Sequence, residues 1–415
     1  MRLLIICLFI TSICHGQAES EDIQQINQQI QALDKNKAVL LSQLEVLKLD
    51  WIQSQIQSIG IPSNGTTEEI LTHSAYQFSY NEQHEQANWV MHIILPDILN
   101  GTASRTNDFR IDSLVSSGSA VEEDYFIKTL KSDSSYSYDG FGYDRGHLAP
   151  SADFKWSKRA LSESYFYSNM SPQLADFNRF KWAELENWMR AYVAQNMIDL
   201  IIVTAPVLTD NLTKVDRSVN GLSVPELYVK VALDTKNNRA IGFVLPNEKI
   251  NLPLEAFAVS VDSVENLIGY DLFSGLDDEL EAKIEASEEY QPWLPVAQNG
   301  DVKAIHNKRL PKKSLSTYGV KVLVDDGKKH TVCGKVVSAT KHEKGHVFIN
   351  LDKKFPNQIF SVSIFSSNVM NFPYEPELYL IDKEVCFTGQ VGDYQGTPNM
   401  VLDNSKQVKL LNEYK

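Results

Sequence analysis

The sequence predicts an α+β fold in three pieces: one long helix, a central domain of interleaved strands and helices, and a small all-β barrel. Three observations carry this. An apolar seam of helical period runs through residues 21–59 without a proline or glycine. Between residues 87 and 245, β-branched runs and a hairpin signal recur without regular βα alternation. Five short strand candidates then crowd into the last hundred residues, punctuated by glycine turns. A chain of 415 residues with 43% hydrophobic and 22% charged content has room for two or three ordinary globular domains. Its formal net charge of −14 excludes a protein that coats nucleic acid by bulk electrostatics. It leaves room for a local positive cleft assisted by a divalent cation.

Residues 1–16 read as an export signal. Arg2 supplies the positive start, and the apolar run Leu3 to Ile13 is too short to span a bilayer. Cleavage is expected before Gln17. Cys14 leaves lipoprotein anchoring open as an alternative, although Thr11-Ser12-Ile13 matches that pattern poorly. No other stretch is long and apolar enough for a transmembrane helix, so a secreted or periplasmic protein without stable membrane insertion is expected. The mature chain then keeps Cys333 and Cys386 alone, neither at zinc spacing. They fall in the first and fourth strands of the expected barrel, which neighbour each other on closure. In an oxidising compartment a disulfide between them is expected.

Residues 17–61 are expected to form a coiled-coil helix and its linker. With Ile23 at position a, the seam holds Ile26, Ile30, Leu33, Lys37, Leu40, Leu44, Leu47 and Trp51, broken only by Lys37. Such a seam predicts a homo-oligomer, a dimer or trimer; one helix packed back on its own chain is the alternative. Gly60 to Gly65, with Pro62, ends the helix.

The central domain is set at residues 70–297, with a mixed sheet expected. Ala87 to Leu95, closed by Pro96, reads as a strand, and Asp199 to Thr204 as a central one. Leu227 to Leu233 and Arg239 to Leu245 form a hairpin across Asp234 to Asn238. His84, His92 and the remaining scattered histidines read as packing or surface residues. Asp277, Asp278, Glu279, Glu281 and Glu285 read as a solvated helix face, because no glycine-turned calcium loop accompanies them. Residues 298–321, lysine-rich with Pro311, read as a linker. From 322 to 415 the strand candidates are Thr331–Ser338, His346–Leu351, Gln358–Phe365, Glu384–Val391 and Pro398–Leu402. They suit an OB-like barrel, with Phe348, Phe360, Phe365 and Tyr394 available to its core or to base stacking.

The chemistry gathers around Tyr143-Asp144-Arg145-Gly146-His147-Leu148-Ala149-Pro150. A histidine can take a proton near neutral pH, and an arginine offers a planar fork to phosphate oxygens. Asn169-Met170-Ser171-Pro172-Gln173 follows, then Asn178 and, eight residues on, Glu186. Phe177, Leu185, Trp188 and Met189 make an apolar stripe. A helix opened by Asn178 would therefore put both polar groups on one face.

The segments DRGHLAPSADF, YSNMSPQ, FN and WAELE resemble the DNA/RNA non-specific endonuclease family, over residues 73 to 295. The resemblance implies a ββα-metal nuclease domain. His147 would be the general base, Asn178 the protein ligand to Mg2+ (or Mn2+), and Glu186 an outer partner holding water on the metal. Arg145 would stabilise charge on the phosphate, Asn169 would shape the site, and Arg105 fits the place of an upstream arginine. The family's V-T-G-P reads Val203-Thr204-Ala205-Pro206 here, which puts a local turn in doubt. The function implied is exported, metal-dependent hydrolysis of DNA and RNA with little sequence preference. The competing readings are a degenerate nuclease that only binds or assembles, and a phosphodiesterase for another substrate.

Overall fold

A computed structural model describes residues 3–320, 323–324, 326–355, 357–394 and 397–414, with side chains described from residue 23 onward and not at 393 and 394. The expected export signal, with Cys7 and Cys14, and the stacking candidate Tyr394 thus lie outside the described side chains. The chain divides into residues 1–55 and 56–415. Helix α1 (Leu3–Ile59) makes up the first and continues without a break to Ile59. Its seam residues Ile23, Ile26, Ile30, Leu33, Leu40, Leu44 and Leu47 are 45–67% exposed, so a single copy leaves the stripe in water. No helix among the described residues is long and apolar enough to cross a membrane. The helix stops at Gly60, whose φ of +97° suits glycine. A Cβ there would also lie 2.6 Å from the backbone nitrogen of Gly275.

The second unit holds two sheets of seven strands. The first contains β1 (Ile70–Thr72), β2 (Tyr76–Asn81) and β3 (Gln86–Ile94). The chain then leaves this sheet for a hairpin of β4 (Phe126–Leu130) and β5 (Tyr136–Gly140). The strand β6 (Tyr143–His147), helix α2 (Lys158–Glu163), strand β7 (Met170–Leu174) and helix α3 (Ala183–Asn196) follow. It returns with β8 (Leu200–Pro206), β9 (Leu227–Asp234), β10 (Arg239–Pro246) and β11 (Ala258–Val259). The order is β1-β2-β3-β8-β9-β10-β11. Every residue of β8 is buried, as its unbroken apolar run predicts for a central strand. The hairpin Asp234↔Arg239 has the expected register, and Asn237 donates backbone and side-chain N–H to Asp234 across its turn.

The mixed central sheet is corrected: its pairings are antiparallel throughout. The reason is connectivity. Hairpins join most neighbours, and the long excursion between β3 and β8 returns the chain in the opposite direction. Ala205, where the family pattern has glycine, sits inside buried β8 rather than in a turn. Helices α4 (Val261–Ile268) and α5 (Asp278–Glu285) cover β10, where Gly242 lets α4 come close: a Cβ would meet Val264 at 2.6 Å.

The C-terminal sheet comprises β12 (Ser314–Ser316), β13 (Lys329–Lys341), β14 (Val347–Leu351), β15 (Phe360–Ile364), β16 (Glu384–Tyr394), β17 (Thr397–Val401) and β18 (Val408–Leu410). Pairings β13–β14, β14–β15, β15–β17, β17–β16 and β16–β13 return to their start, with β15–β17 parallel. Valines, isoleucines, Phe360 and Phe387 fill the interior. Cys333 and Cys386 face each other in register between β13 and β16 and form a disulfide. Residues 314–316, expected as linker, instead add β12 beside β13, and buried Thr317 donates to Asp352. Three residues are too few to show a strand period in sequence.

Candidate active site

Strands β6 and β7 pair antiparallel with His147 opposite Met170 and Arg145 opposite Pro172, and the chain after β7 turns into α3. Two short strands and the helix that follows thus adjoin, with β7 against β3. Gly146 is required by closeness rather than by φ. A Cβ there would fall 2.2 Å from Oε1 of buried Gln173, which crosses from β7. Asn169 is fully buried and does not line the cleft. Its Oδ1 accepts from the Ala149 backbone N–H at 2.9 Å. Its Nδ2 donates to the carbonyls of Ala149 (2.9 Å) and Ser164 (2.8 Å). It clasps the stretch that leaves His147 from behind.

A cleft of about 1060 Å3 takes in Arg105, Arg145, His147, Asn178 and Glu186. Six cationic side chains line it (Arg105, Lys128, Arg145, Lys155, Arg179 and Arg190) against the carboxylates of Glu122, Asp144 and Glu186. A protein of net charge −14 therefore presents a locally positive cleft. His147 Nε2 is buried with no hydrogen-bond partner. Burial, then Arg105, then Arg145 push the imidazole down to about 3, so it is neutral and able to accept a proton. The Arg145 guanidinium lies 3.6 Å over the Phe109 ring and donates weakly to Tyr167 Oη at 3.4 Å. Stacking fixes the fork while leaving its edge for an anion. Arg105 is exposed, its Nε donating to Asn107 at 2.6 Å.

Asn178 does not open an α-helix. It lies in a π-helical turn, Phe177–Trp182, ahead of α3. The wider turn re-aims side chains relative to a regular helix, and such turns recur at functional sites. The Asn178 Nδ2 donates to Asp144 Oδ2 at 3.0 Å, which leaves Oδ1 as the atom able to take a cation. Arg179 closes on the same carboxylate with two bonds of 2.8 Å.

Glu186 is only partly exposed, at the wall of the cleft. It lies 3.7 Å from Arg190, which pairs with buried Asp153 at 2.8 Å, and Asp153 accepts from buried His92 at 3.0 Å. Burial raises the Glu186 carboxyl, with Arg190 and Lys230 opposing. Burial pushes Lys230, held by Thr204 under the Trp182 ring, down to about 8. His92 and His84 are packing residues, as expected.

Sequence reasoning missed Asp144, Phe109, Arg179, Arg190, Asp153 and Lys230. Asp144 sits inside the quoted motif, and its neighbours could have suggested it. Asp153 lies in the same motif, and Arg190 stands one turn from Glu186 on α3. Phe109, Arg179 and Lys230 meet their partners across dozens of residues, which no local pattern reports.

The donor set suits a hard divalent cation: one carboxamide oxygen and a nearby carboxylate, with no sulfur. So few protein oxygens would leave most of the ion's coordination to water.

Comparison with known proteins adds the rest. The DNA/RNA non-specific endonuclease family matches residues 52–279. A nuclease of Nostoc sp. is 31% identical over 244 residues, covering 55% of this chain and 84% of the relative. A nuclease of Syncephalastrum racemosum is 32% identical over 244 residues, 54% of this chain and 72% of that one. Human mitochondrial endonuclease G is 27% identical over 215 residues, 48% and 68% respectively. A chain in the crystal structure of an EndoG/EndoGI complex has a TM-score of 0.45 and 24% identity, over 55% of this chain and 93% of that chain. The C-terminal sheet lies beyond the residues matched to the family.

Proposed function

Since the chain belongs to the DNA/RNA non-specific endonuclease family and is a phosphodiester-hydrolysing endonuclease, we propose that it cuts DNA and RNA with His147 as general base and Mg2+ as its cation. The observation that carries this is the unpartnered Nε2 of a neutral His147, flanked by two arginines in a cationic cleft. Arg105 and Arg145 receive the scissile phosphate. Guanidinium forks read phosphate geometry and not base identity, which suits little sequence preference. His147 Nε2 takes the proton of the attacking water, whose oxygen bonds to phosphorus as the opposite P–O bond breaks. Arg145 takes up the negative charge that grows on the phosphate.

Asn178 Oδ1, with Glu186 behind it, would hold the Mg2+ (or Mn2+). When bound, the ion supplies Lewis-acid charge at the phosphate. Asp144 keeps the Asn178 carboxamide turned the right way. The plain test incubates purified protein with supercoiled plasmid and with RNA, with and without EDTA. Cleavage of both that stops in EDTA and returns with Mg2+ is expected. Cleavage indifferent to EDTA, or confined to a non-polymeric phosphodiester, would overturn this reading.

We also propose export, with the disulfide as support, since pairing thiols suits an oxidising compartment. The exposed seam of α1 supports self-association. The ring of five strands supports an OB-type barrel. A groove of about 990 Å3 on it, lined by Lys329, Lys344, Phe348 and half-exposed Phe365, suits a single nucleic-acid strand.

A further inference from the structure

Away from the cleft, α4 and α5 bring three carboxylates together. One oxygen each from Asp262, Glu265 and Glu285 lies within 4.8 Å of the others, and none of the three lines the catalytic cleft. The expected solvated helix face is corrected here. Asp277 caps α5, accepting from the Leu280 backbone N–H at 3.2 Å, but the far end of the helix turns inward. Glu285 is only 6% exposed, and its Oε1 has no hydrogen-bond partner. One turn earlier, Glu281 Oε1 is also buried without a partner. The charged neighbours acting most on Glu285 are all carboxylates: Glu265, Glu281, Asp262 and Asp271. A buried carboxylate is costly unless something positive or a donor meets it, and no side chain does so at this oxygen.

We propose that Asp262, Glu265 and Glu285 form a second divalent-cation site, one that takes Ca2+ and fastens α4 to α5. The donors are oxygen alone, which argues against zinc, whose sites favour nitrogen and sulfur. Three carboxylates can each give one or two oxygens, which suits the six to eight ligands and loose geometry of Ca2+ better than the rigid octahedron of Mg2+. Glu265 already uses Oε1 to accept from the Leu272 backbone N–H at 2.8 Å, so one ligand is held in place. Both helices rest on β10, near the outer edge of the sheet, so the bound ion would stabilise the fold there and leave the chemistry to the cleft, which shares none of these residues.

The test uses the full-length chain. Thermal unfolding is followed in EDTA and in excess CaCl2 for the unaltered protein, Asn178→Ala and Glu285→Gln. The unaltered protein and Asn178→Ala should both gain at least about 2 °C with Ca2+, because a ligand that binds only the folded state stabilises it. Glu285→Gln should show no gain, while melting in EDTA no lower than the unaltered protein, since burial among carboxylates already pushes the Glu285 carboxyl up to about 8 and the amide keeps its shape without charge. Equilibrium dialysis supplies the count: one Ca2+ per Asn178→Ala chain, and none when Glu285→Gln is added. No Ca2+ bound by Asn178→Ala, or an equal Ca2+ response in Glu285→Gln, would overturn the proposal.

Discussion

Replacing Asp144 by alanine tests whether Asn178 works only when its amide is held. The Asp144 carboxylate accepts from Asn178 Nδ2 at 3.0 Å and from Arg179 at 2.8 Å twice. Removing it frees the Asn178 amide to rotate, so Oδ1 no longer faces the cation by default. A hydrogen bond to a charged group contributes about 1.5–3 kcal/mol, which converts to roughly a 10- to 150-fold loss. Outer partners of metal ligands typically cost about 10- to 100-fold when removed, in agreement. The Arg179 contribution is smaller. Its side chain is 49% exposed, and exposed pairs are worth about 0–1 kcal/mol. Initial cleavage rates against Mg2+ concentration should therefore shift to higher Mg2+ in Asp144→Ala by one to two orders of magnitude. Arg179→Ala should shift it by about fivefold or less, and Asp144→Asn should fall between, because it can still accept one bond. An Asp144→Ala curve that overlays the unaltered one, or an Arg179→Ala shift of equal size, would refute the orientation argument.

Four further outcomes are expected. Burial and the two arginines lower the His147 pKa, so the base stays neutral below pH 6.5 and activity should persist there; Arg105→Gln removes one lowering charge and should move the acid limb of the kcat/KM profile upward. An unmoved limb would count against His147 as the base. The Cys333→Ser, Cys386→Ser protein loses a cross-link spanning 53 residues and should lose up to about 4 kcal/mol in denaturant titrations of the C-terminal sheet. Light scattering on a chain lacking residues 21–59 should report a smaller species than the full chain; two monomers would mean that the seam does not drive self-association. Phe365→Ala should weaken binding of a single-stranded oligonucleotide by roughly 5- to 100-fold in fluorescence anisotropy, the scale of one stacked base, and unchanged binding would remove the groove from the account.

Much of the architecture was legible because it rests on local periodicity. The β3 run, the β9–β10 hairpin and the strands that carry Cys333 and Cys386 are all apolar, β-rich runs bounded by turn signals. The cysteines' meeting followed from the strand order of a small closed barrel. What was not legible depends on partners remote in sequence. Nothing around Glu285 distinguishes it from exposed Asp278 and Glu279 before it, because its burial comes from the packing of α5 beside α4. Asn178 looked like an ordinary helix opening, since a π-turn leaves no period of its own in six residues. His147, Arg145, Asn178 and Glu186 line one cleft. Several of their supports, such as Phe109 under Arg145 and Arg179 on Asp144, come from elsewhere in the chain.

The most direct test of the central claim compares His147→Ala with Asn178→Ala in cleavage rate across a Mg2+ titration. A positioned base contributes about 10²–10⁴-fold, so His147→Ala should lose that much at every Mg2+ concentration while its half-saturating concentration stays put. Asn178→Ala should instead need far more Mg2+, or remain inactive at saturation. Near-normal turnover in His147→Ala, or an unchanged Mg2+ dependence in Asn178→Ala, would contradict the assignment of base and cation ligand.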